Sequence, residues 1–129
     1  MTTLHVTQNN LPEVLQAIEK TLNDVIEQEK HYKAMLVCDE ILTNQIKHGD
    51  FENKKSDIKL DLHVKDGDIK MKFYDNAKRF NPLENDKPDL ETTLDDTELG
   101  GLGIFLVRQY AKKIDYNYKN GYNILEVTI

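Results

Sequence analysis

The chain has 129 residues, of which 39% are apolar and 31% are charged, and its net charge is −6 at pH 7. This composition predicts a single folded domain over residues 1–129 and argues against a membrane-embedded or disordered chain. The excess of acidic residues argues against a nucleic-acid binder, which needs a basic face for the phosphates. The N-terminal stretch lacks the features of a signal peptide, and the single cysteine, Cys38, cannot form an internal disulfide. Together these features predict a cytoplasmic protein.

The first part of the chain predicts one strand and two helices. Leu4 and Val6 alternate with polar neighbours, as in a short strand. An apolar stripe over residues 11–26 predicts an amphipathic helix with Asn10 as its cap. A second helix is predicted over about residues 31–48, where apolar side chains recur on one face.

Two later stretches change to the two-residue period of β-strands. The first covers residues 58–73 and contains an Asp-Gly pair at 66–67. The second covers residues 114–129 and contains an Asn-Gly pair at 120–121. Alternating apolar residues on both sides of such pairs predict two β-hairpins.

A polar, acidic segment and a third helix separate the two hairpins. The helix is predicted to begin near Leu102 and to end at about residue 112. This order of elements predicts an α/β (α+β) two-layer sandwich. In it, a largely antiparallel mixed sheet of about five strands is covered on one face by three helices.

The predicted second helix carries a row of polar residues. Glu40, Asn44 and His48 are spaced four residues apart, so they lie along one face of the helix. An amide oxygen such as that of Asn44 is a suitable ligand for Mg²⁺. A carboxylate one turn away can accept a proton from a nucleophile. The same spacing also fits an ordinary exposed helix face.

Two further segments have the residue types of a binding site. Asp75 ends a strand, where its carboxylate could accept a hydrogen bond from an adenine amino group. Gly100, Gly101 and Gly103 precede an apolar helix, whose first N–H groups could bind an anion such as phosphate. Considered alone, the first segment also fits an Asp-Asn turn and the second a flexible hinge.

The three segments together, in this order, resemble the GHKL ATPases, which include DNA gyrase, heat-shock chaperone ATPases, histidine kinases and mismatch-repair ATPases. Residues 40–48 resemble the N box, residues 73–82 the G1 box and residues 100–108 the G2 box. The stretch GGLGIFLVRQ, the Phe-Asn-Pro-Leu-Glu that begins at Phe80 and the closing hairpin are most similar to the bacterial anti-sigma-factor serine/threonine kinases. The resemblance implies the Bergerat-type ATP-binding fold.

The resemblance also implies a role for each segment. Asn44 would hold Mg²⁺ against the phosphates of ATP, Glu40 would act as the general base, and Asp75 would recognise the adenine amino group. Gly101 and Gly103 would shape the phosphate loop, and a lid over residues 81–99 would order over the nucleotide. The other implied nucleotide-binding residues are His48, Ala77, Phe80, Gly100, Leu102 and Ile104.

The partners implied by the resemblance are proteins. A kinase of this branch phosphorylates an anti-sigma-factor antagonist on serine, binds a sigma factor and commonly forms a homodimer. The resemblance implies neither a nucleic acid nor a membrane as a direct partner. Two other functions stay open: a binding module of the same fold with weak or absent catalysis, and the ATPase half of a histidine kinase. The surroundings of His5 and His31 disfavour the second, because neither resembles a phospho-accepting site.

Three features depart from the family pattern. Ala77 stands where the G1 box has glycine, which would cost energy if its φ were positive. The predicted lid is acidic and has one lysine, so that Lys78 or Arg79 would have to supply positive charge near the phosphates. Lys112 stands where close relatives tend to carry an acid. The first two features would weaken ATP binding and turnover without changing the fold.

Overall fold

Helices and strands follow one another in the predicted order. The structure, a computed structural model, describes residues 1–24, 27–84 and 102–129. The elements are β1 (Thr2–Val6), α1 (Leu11–Thr21), α2 (Gln28–His48), β2 (Ile58–Lys65), β3 (Asp68–Asp75), α3 (Leu102–Tyr110), β4 (Lys113–Lys119) and β5 (Tyr122–Thr128). Short 3₁₀ turns, Leu22–Asp24 and Pro82–Glu84, follow α1 and β3 respectively.

The five strands form one sheet in the order β1-β2-β3-β5-β4, and all of the described pairs are antiparallel. Both predicted hairpins are confirmed. Asp66 and Gly67 have φ values of 53° and 82°, and Asn120 and Gly121 have values of 56° and 82°. Two consecutive positive φ values characterise the turn that matches the twist of a hairpin, which explains the Asp-Gly and Asn-Gly pairs.

The helices and one face of the sheet enclose a single core. Its fully buried side chains come from α1 (Ile18), α2 (Leu42), β2 (Leu60) and β3 (Phe73), and α3 adds Val107. The opposite face of the sheet carries charged side chains on alternate positions. The two-layer α/β architecture with three helices on one face is therefore confirmed.

The beginning of α1 differs from the prediction in its chemistry. Asn10 occupies the residue before the helix, but its side chain forms no capping hydrogen bond with the helix. Its Oδ1 accepts a hydrogen bond from the Thr7 N–H at 2.7 Å, and its Nδ2 donates to the His5 carbonyl at 3.1 Å. Asn10 therefore stabilises the turn between β1 and α1, because nearby backbone groups compete with the helix for a short polar side chain.

The structure also shows the surroundings of the single cysteine and the character of the helices. Cys38 lies in the core, where burial raises the pKa of its thiol to about 12. It is thus a small core residue with an unreactive thiol at neutral pH. Within the described parts of the chain, no helix combines the length and the apolar character needed to cross a bilayer.

Candidate nucleotide-binding site

The described parts of the three predicted segments meet beside α2. Gln45 of α2 forms a hydrogen bond with Asp75 at the end of β3. On another side of the same helix, Gly103 in the first turn of α3 lies against Glu40 and Asn44. The fold therefore brings segments that lie far apart in the sequence into contact with the same helix.

The Asp75 carboxylate lies in a dense set of hydrogen bonds. Its Oδ1 accepts from the Ala77 N–H at 3.1 Å and from Asn123 Nδ2 at 2.9 Å. Its Oδ2 accepts from Gln45 Nε2 at 3.0 Å. A carboxylate offers about four acceptor directions, so these three donors leave one direction, on Oδ2, for another donor. This is the arrangement that recognition of an amino group requires.

Asn123 organises the surroundings of Asp75. It is 7% exposed and is the one buried polar residue in the described part of the chain. Besides Asp75, its Nδ2 lies 3.2 Å and 3.1 Å from the carbonyl oxygens of Ala77 and Lys78. Its Oδ1 accepts hydrogen bonds from the Phe80 N–H and from the Tyr116 hydroxyl. Burial raises the pKa of the Tyr116 phenol above its ordinary value. Through these contacts Asn123 attaches the loop after β3 to the last hairpin.

The backbone around Ala77 is unstrained. Ala77 is buried, and it is not among the residues with positive φ. Asn76 next to it donates from Nδ2 to the Lys55 carbonyl at 3.0 Å and accepts from the Asp57 N–H at 2.8 Å. The backbone cost that would arise if φ were positive at this position is therefore absent.

The loop beyond Ala77 is held by its backbone, while its side chains face outward. The Phe80 N–H donates to Asn123 at 3.0 Å, but the Phe80 ring is 61% exposed. Lys78 is exposed, and the Arg79 guanidinium lies 5.9 Å from the centre of the Tyr118 ring. The two cations that could compensate for an acidic lid are thus present, with Arg79 placed over an aromatic ring.

Glu40 and Asn44 lie one turn apart on α2, beside the first turn of α3. A Cβ atom on Gly103 would be 3.0 Å from Glu40 Oε2 and 3.1 Å from Asn44 Nδ2. Such distances are shorter than ordinary contacts, so the helices approach this closely because residue 103 has no side chain. Neither polar side chain forms a hydrogen bond with another described residue, and both are partly exposed.

Of the other residues predicted to bind nucleotide, some lie within the described part of the chain and some lie outside it. His48 is the last residue of α2 and is exposed. The side chain of Ile104 packs against the core, so contact with a nucleotide would have to come from its backbone. Leu102 begins α3. Predictions for Gly100, Gly101 and lid residues 85–99 lie outside the described residues.

Sequence reasoning missed Gln45 and Asn123. The alternation of Leu125, Val127 and Ile129 continues back to Asn123, which indicates an inward position for a polar residue. Gln45 follows Ile41 by four residues, so it shares a buried side of α2. Both signals were present in the sequence, but neither indicates the partner, which lies on another element.

Comparison with known proteins places the chain in one family. A family model described as the histidine kinase-like ATPase domain matches residues 4–129. The serine/threonine-protein kinase BtrW of Bordetella bronchiseptica is 27% identical over 126 residues, which cover 97% of this chain and 89% of BtrW.

Solved structures of two histidine kinases have a similar fold. The histidine kinase domain of the blue-light activated kinase EL346 from Erythrobacter litoralis gives a TM-score of 0.58 at 16% identity, over 92% of this chain and 58% of that one. This chain therefore spans little more than half of the EL346 structure. The catalytic domain of the histidine kinase ThkA, in a nucleotide-free form, gives a TM-score of 0.56 at 13% identity, over 100% of this chain and 95% of that domain. At these identities the likeness concerns the fold alone.

Proposed function

Because this chain belongs to the histidine kinase-like ATPase domains, we propose that it is an ATP-dependent serine/threonine protein kinase of the anti-sigma-factor type. It would phosphorylate an anti-sigma-factor antagonist, sequester a sigma factor and act in the cytoplasm as a homodimer. The similarity to BtrW supports the kinase. The observation that carries the proposal is the meeting of Glu40, Asn44 and Gly103 on one side of α2, with the Asp75 hydrogen bonds on another.

The base end of the site consists of Gln45, Asp75 and Asn123. Here the remaining acceptor direction of Asp75 Oδ2 would receive an N–H from the adenine amino group. Since the three donors to Asp75 come from α2, β5 and the loop after β3, the carboxylate cannot rotate without breaking hydrogen bonds. Such fixed acceptors recognise a ligand at a low entropic cost.

The phosphate end consists of Glu40, Asn44 and Gly103. Asn44 would hold Mg²⁺, which supplies positive charge to the phosphates when it is bound. The described residues contain no group of three or more His, Cys, Asp and Glu side chains that could hold a metal. One amide ligand nevertheless fits Mg²⁺, because this ion is usually bound through few protein ligands together with water and phosphate oxygens.

Glu40 would act on the acceptor protein. Its carboxylate lies one helical turn from Asn44 and is partly exposed, so it can reach the hydroxyl of a serine presented next to the phosphates. As the serine oxygen forms its bond to phosphorus and ADP leaves, Glu40 would take the hydroxyl proton. A positioned base of this kind contributes a factor of about 10²–10⁴ to the rate.

Two variants test these roles separately. Calorimetry with Mg-ATP should show binding to the native chain and a loss of at least about tenfold in Asn44→Ala, since a good polar contact to a charged ligand contributes that much. Glu40→Gln should bind ATP normally but transfer phosphate to a cognate antagonist at least about 100-fold more slowly. Asp39→Asn is the matched control, because Asp39 is exposed beside Glu40 and should have no effect on either measurement.

The measurements also distinguish the second candidate, a binding module with weak or absent catalysis. Among the described residues, Lys78 and Arg79 form no hydrogen bond or ion pair with Glu40 or Asn44, which favours this candidate because distant cations stabilise transferring phosphate poorly. ATP binding without transfer to any antagonist encoded in the same genome would support the binding module. No ATP binding at millimolar concentration would contradict the kinase.

A further inference from the structure

We propose that Gln45 determines the base specificity of the site, by orienting Asp75 and by accepting a second hydrogen bond from the 6-amino group of adenine. This inference rests on the proposed nucleotide site. It assigns a role to a residue that lies directly after Asn44, about 100° around the helix from it, and that contacts the end of β3.

The orientation of the Gln45 amide follows from its partner. Nε2 lies 3.0 Å from Asp75 Oδ2. If the amide were turned over, Oε1 would face Oδ2, and two acceptors would oppose each other without a hydrogen between them. The amide nitrogen must therefore face Asp75, which leaves Oε1 of the same amide as an acceptor that Asp75 does not use.

Gln45 Oε1 is buried and has no hydrogen-bond partner among the described residues. Within this part of the chain, Arg108 Nε is the one other buried side-chain atom in that condition. Folded proteins pair nearly all such atoms, because an unpaired acceptor has lost its hydrogen bonds to water. An unpaired carbonyl beside a candidate site is therefore an acceptor for which a ligand can supply the donor.

The arrangement selects a particular chemical group. Asp75 Oδ2 has one unused acceptor direction, and Gln45 Oε1 is a second acceptor attached to the same hydrogen-bonded pair. An exocyclic amino group has two N–H donors and can satisfy both acceptors. A base with an oxygen at this position, such as guanine or hypoxanthine, would present an acceptor to acceptors. Among the purine nucleotides, the two residues thus admit those with a 6-amino group, the adenine nucleotides.

The test removes both functions of the amide while keeping its length. Affinities for Mg-ATP, Mg-ITP and purine riboside triphosphate, which has no group at position 6, are measured by calorimetry for the native chain and Gln45→Met. The native chain should prefer ATP to both analogues. In Gln45→Met, ATP should bind about tenfold more weakly, which corresponds to the loss of one or two hydrogen bonds. Purine riboside triphosphate should bind unchanged, because it donates nothing to Gln45.

A control variant and two contradicting outcomes separate this inference from the proposed function. Gln28→Met, at the exposed first residue of α2, should leave all three affinities unchanged. Equal weakening of ATP and purine riboside triphosphate by Gln45→Met would mean a merely structural role and would overturn this inference alone. Failure of the native chain to bind any of the three nucleotides would overturn the proposed function together with it.

A second variant covers the case in which Gln45→Met does not fold, as judged by thermal unfolding. Gln45→Glu has the same shape but replaces the N–H donor with an oxygen that faces Asp75. It should lower the preference for ATP over purine riboside triphosphate, because the Asp75 carboxylate loses its orientation. An unchanged preference in this variant would overturn the inference.

Discussion

The base end and the phosphate end of the site are built in different ways. At the base end, Asp75 accepts three hydrogen bonds from three separate elements, and Asn123 is buried among further partners. At the phosphate end, Glu40 and Asn44 lie against Gly103, yet neither forms a hydrogen bond with another described residue. At the base end most polar groups are paired, Gln45 Oε1 being the exception, whereas at the phosphate end Glu40 and Asn44 have no hydrogen-bond partner among the described residues.

This difference separates stability from binding. Changes at the base end should lower both the free energy of unfolding and the affinity for ATP, because the same hydrogen bonds hold the loop and orient the acceptors. Changes at the phosphate end should lower affinity or transfer and leave stability nearly unchanged, because among the described residues Glu40 and Asn44 form no hydrogen bonds that a substitution would remove.

The largest expected effect tests the base end. Asn123→Ala should lower the free energy of unfolding by about 2–3 kcal/mol, since it leaves several buried groups without partners, and should also weaken ATP binding. Urea denaturation and calorimetry measure the two quantities. Asn117→Ala, an exposed residue of the neighbouring β4, should change stability by less than about 0.5 kcal/mol. Similar small losses in both variants would remove the distinction between the two ends.

An intermediate effect tests the phosphate end. In Gly103→Ala the new methyl group would press on Glu40 Oε2 and Asn44 Nδ2, which lie 3.0 and 3.1 Å away. Both are side-chain tips that can shift by a few tenths of an ångström, and alanine favours the helix by up to about 1 kcal/mol. Stability should therefore stay nearly constant while ATP binding weakens by about tenfold. A large loss of stability with unchanged binding would contradict the comparison.

The smallest effect is expected away from both ends. Lys112 Nζ lies 2.9 Å from Asp68 Oδ1, and the more distant Lys30 Nζ lies 3.8 Å from the same oxygen. The hydrogen bond from Lys112, with added attraction from Lys112, Lys30 and Lys70, holds the pKa of Asp68 below its ordinary value. A lowered carboxyl pKa stabilises the folded state above the unfolded pKa of about 3.9. That contribution is lost as the pH falls through the lower folded value.

Lys112→Gln should accordingly shift the urea midpoint only slightly at pH 7, because exposed ion pairs contribute little. The difference from the native chain should vanish in strong acid, and ATP binding should not change. A difference that persists unchanged at low pH would show that Lys112 acts through packing. A difference that vanishes in acid would instead identify the Asp68 carboxylate as the group through which Lys112 acts.

Features encoded by neighbouring residues could be predicted, while those set by strand pairing could not. The Asp-Gly and Asn-Gly turns were predictable because they require consecutive positive φ values. The shared face of Glu40 and Asn44 followed from helical spacing alone.

Contacts between residues of distant elements could not be predicted from local sequence patterns. Asn123 contacts Asp75 because β5 pairs with β3, although the two residues are 48 positions apart. No local pattern states that pairing. Asn10 was wrongly expected to form a side-chain cap, because sequence spacing does not show that the turn after β1 competes for its side chain.

The position of Asn123 on β5 has a consequence for folding kinetics. β5 is inserted between β3 and β4, so the acceptors at Asp75 acquire their final orientation only after the closing hairpin has docked. Contacts of such high sequence separation have a larger entropic cost of loop closure, so we expect them to form after the local helices and turns. A partly folded chain would contain Asp75 and Gln45 but could not bind nucleotide fully. ATP would therefore stabilise the completed fold selectively, by about 2.7 kcal/mol at a concentration 100 times its Kd.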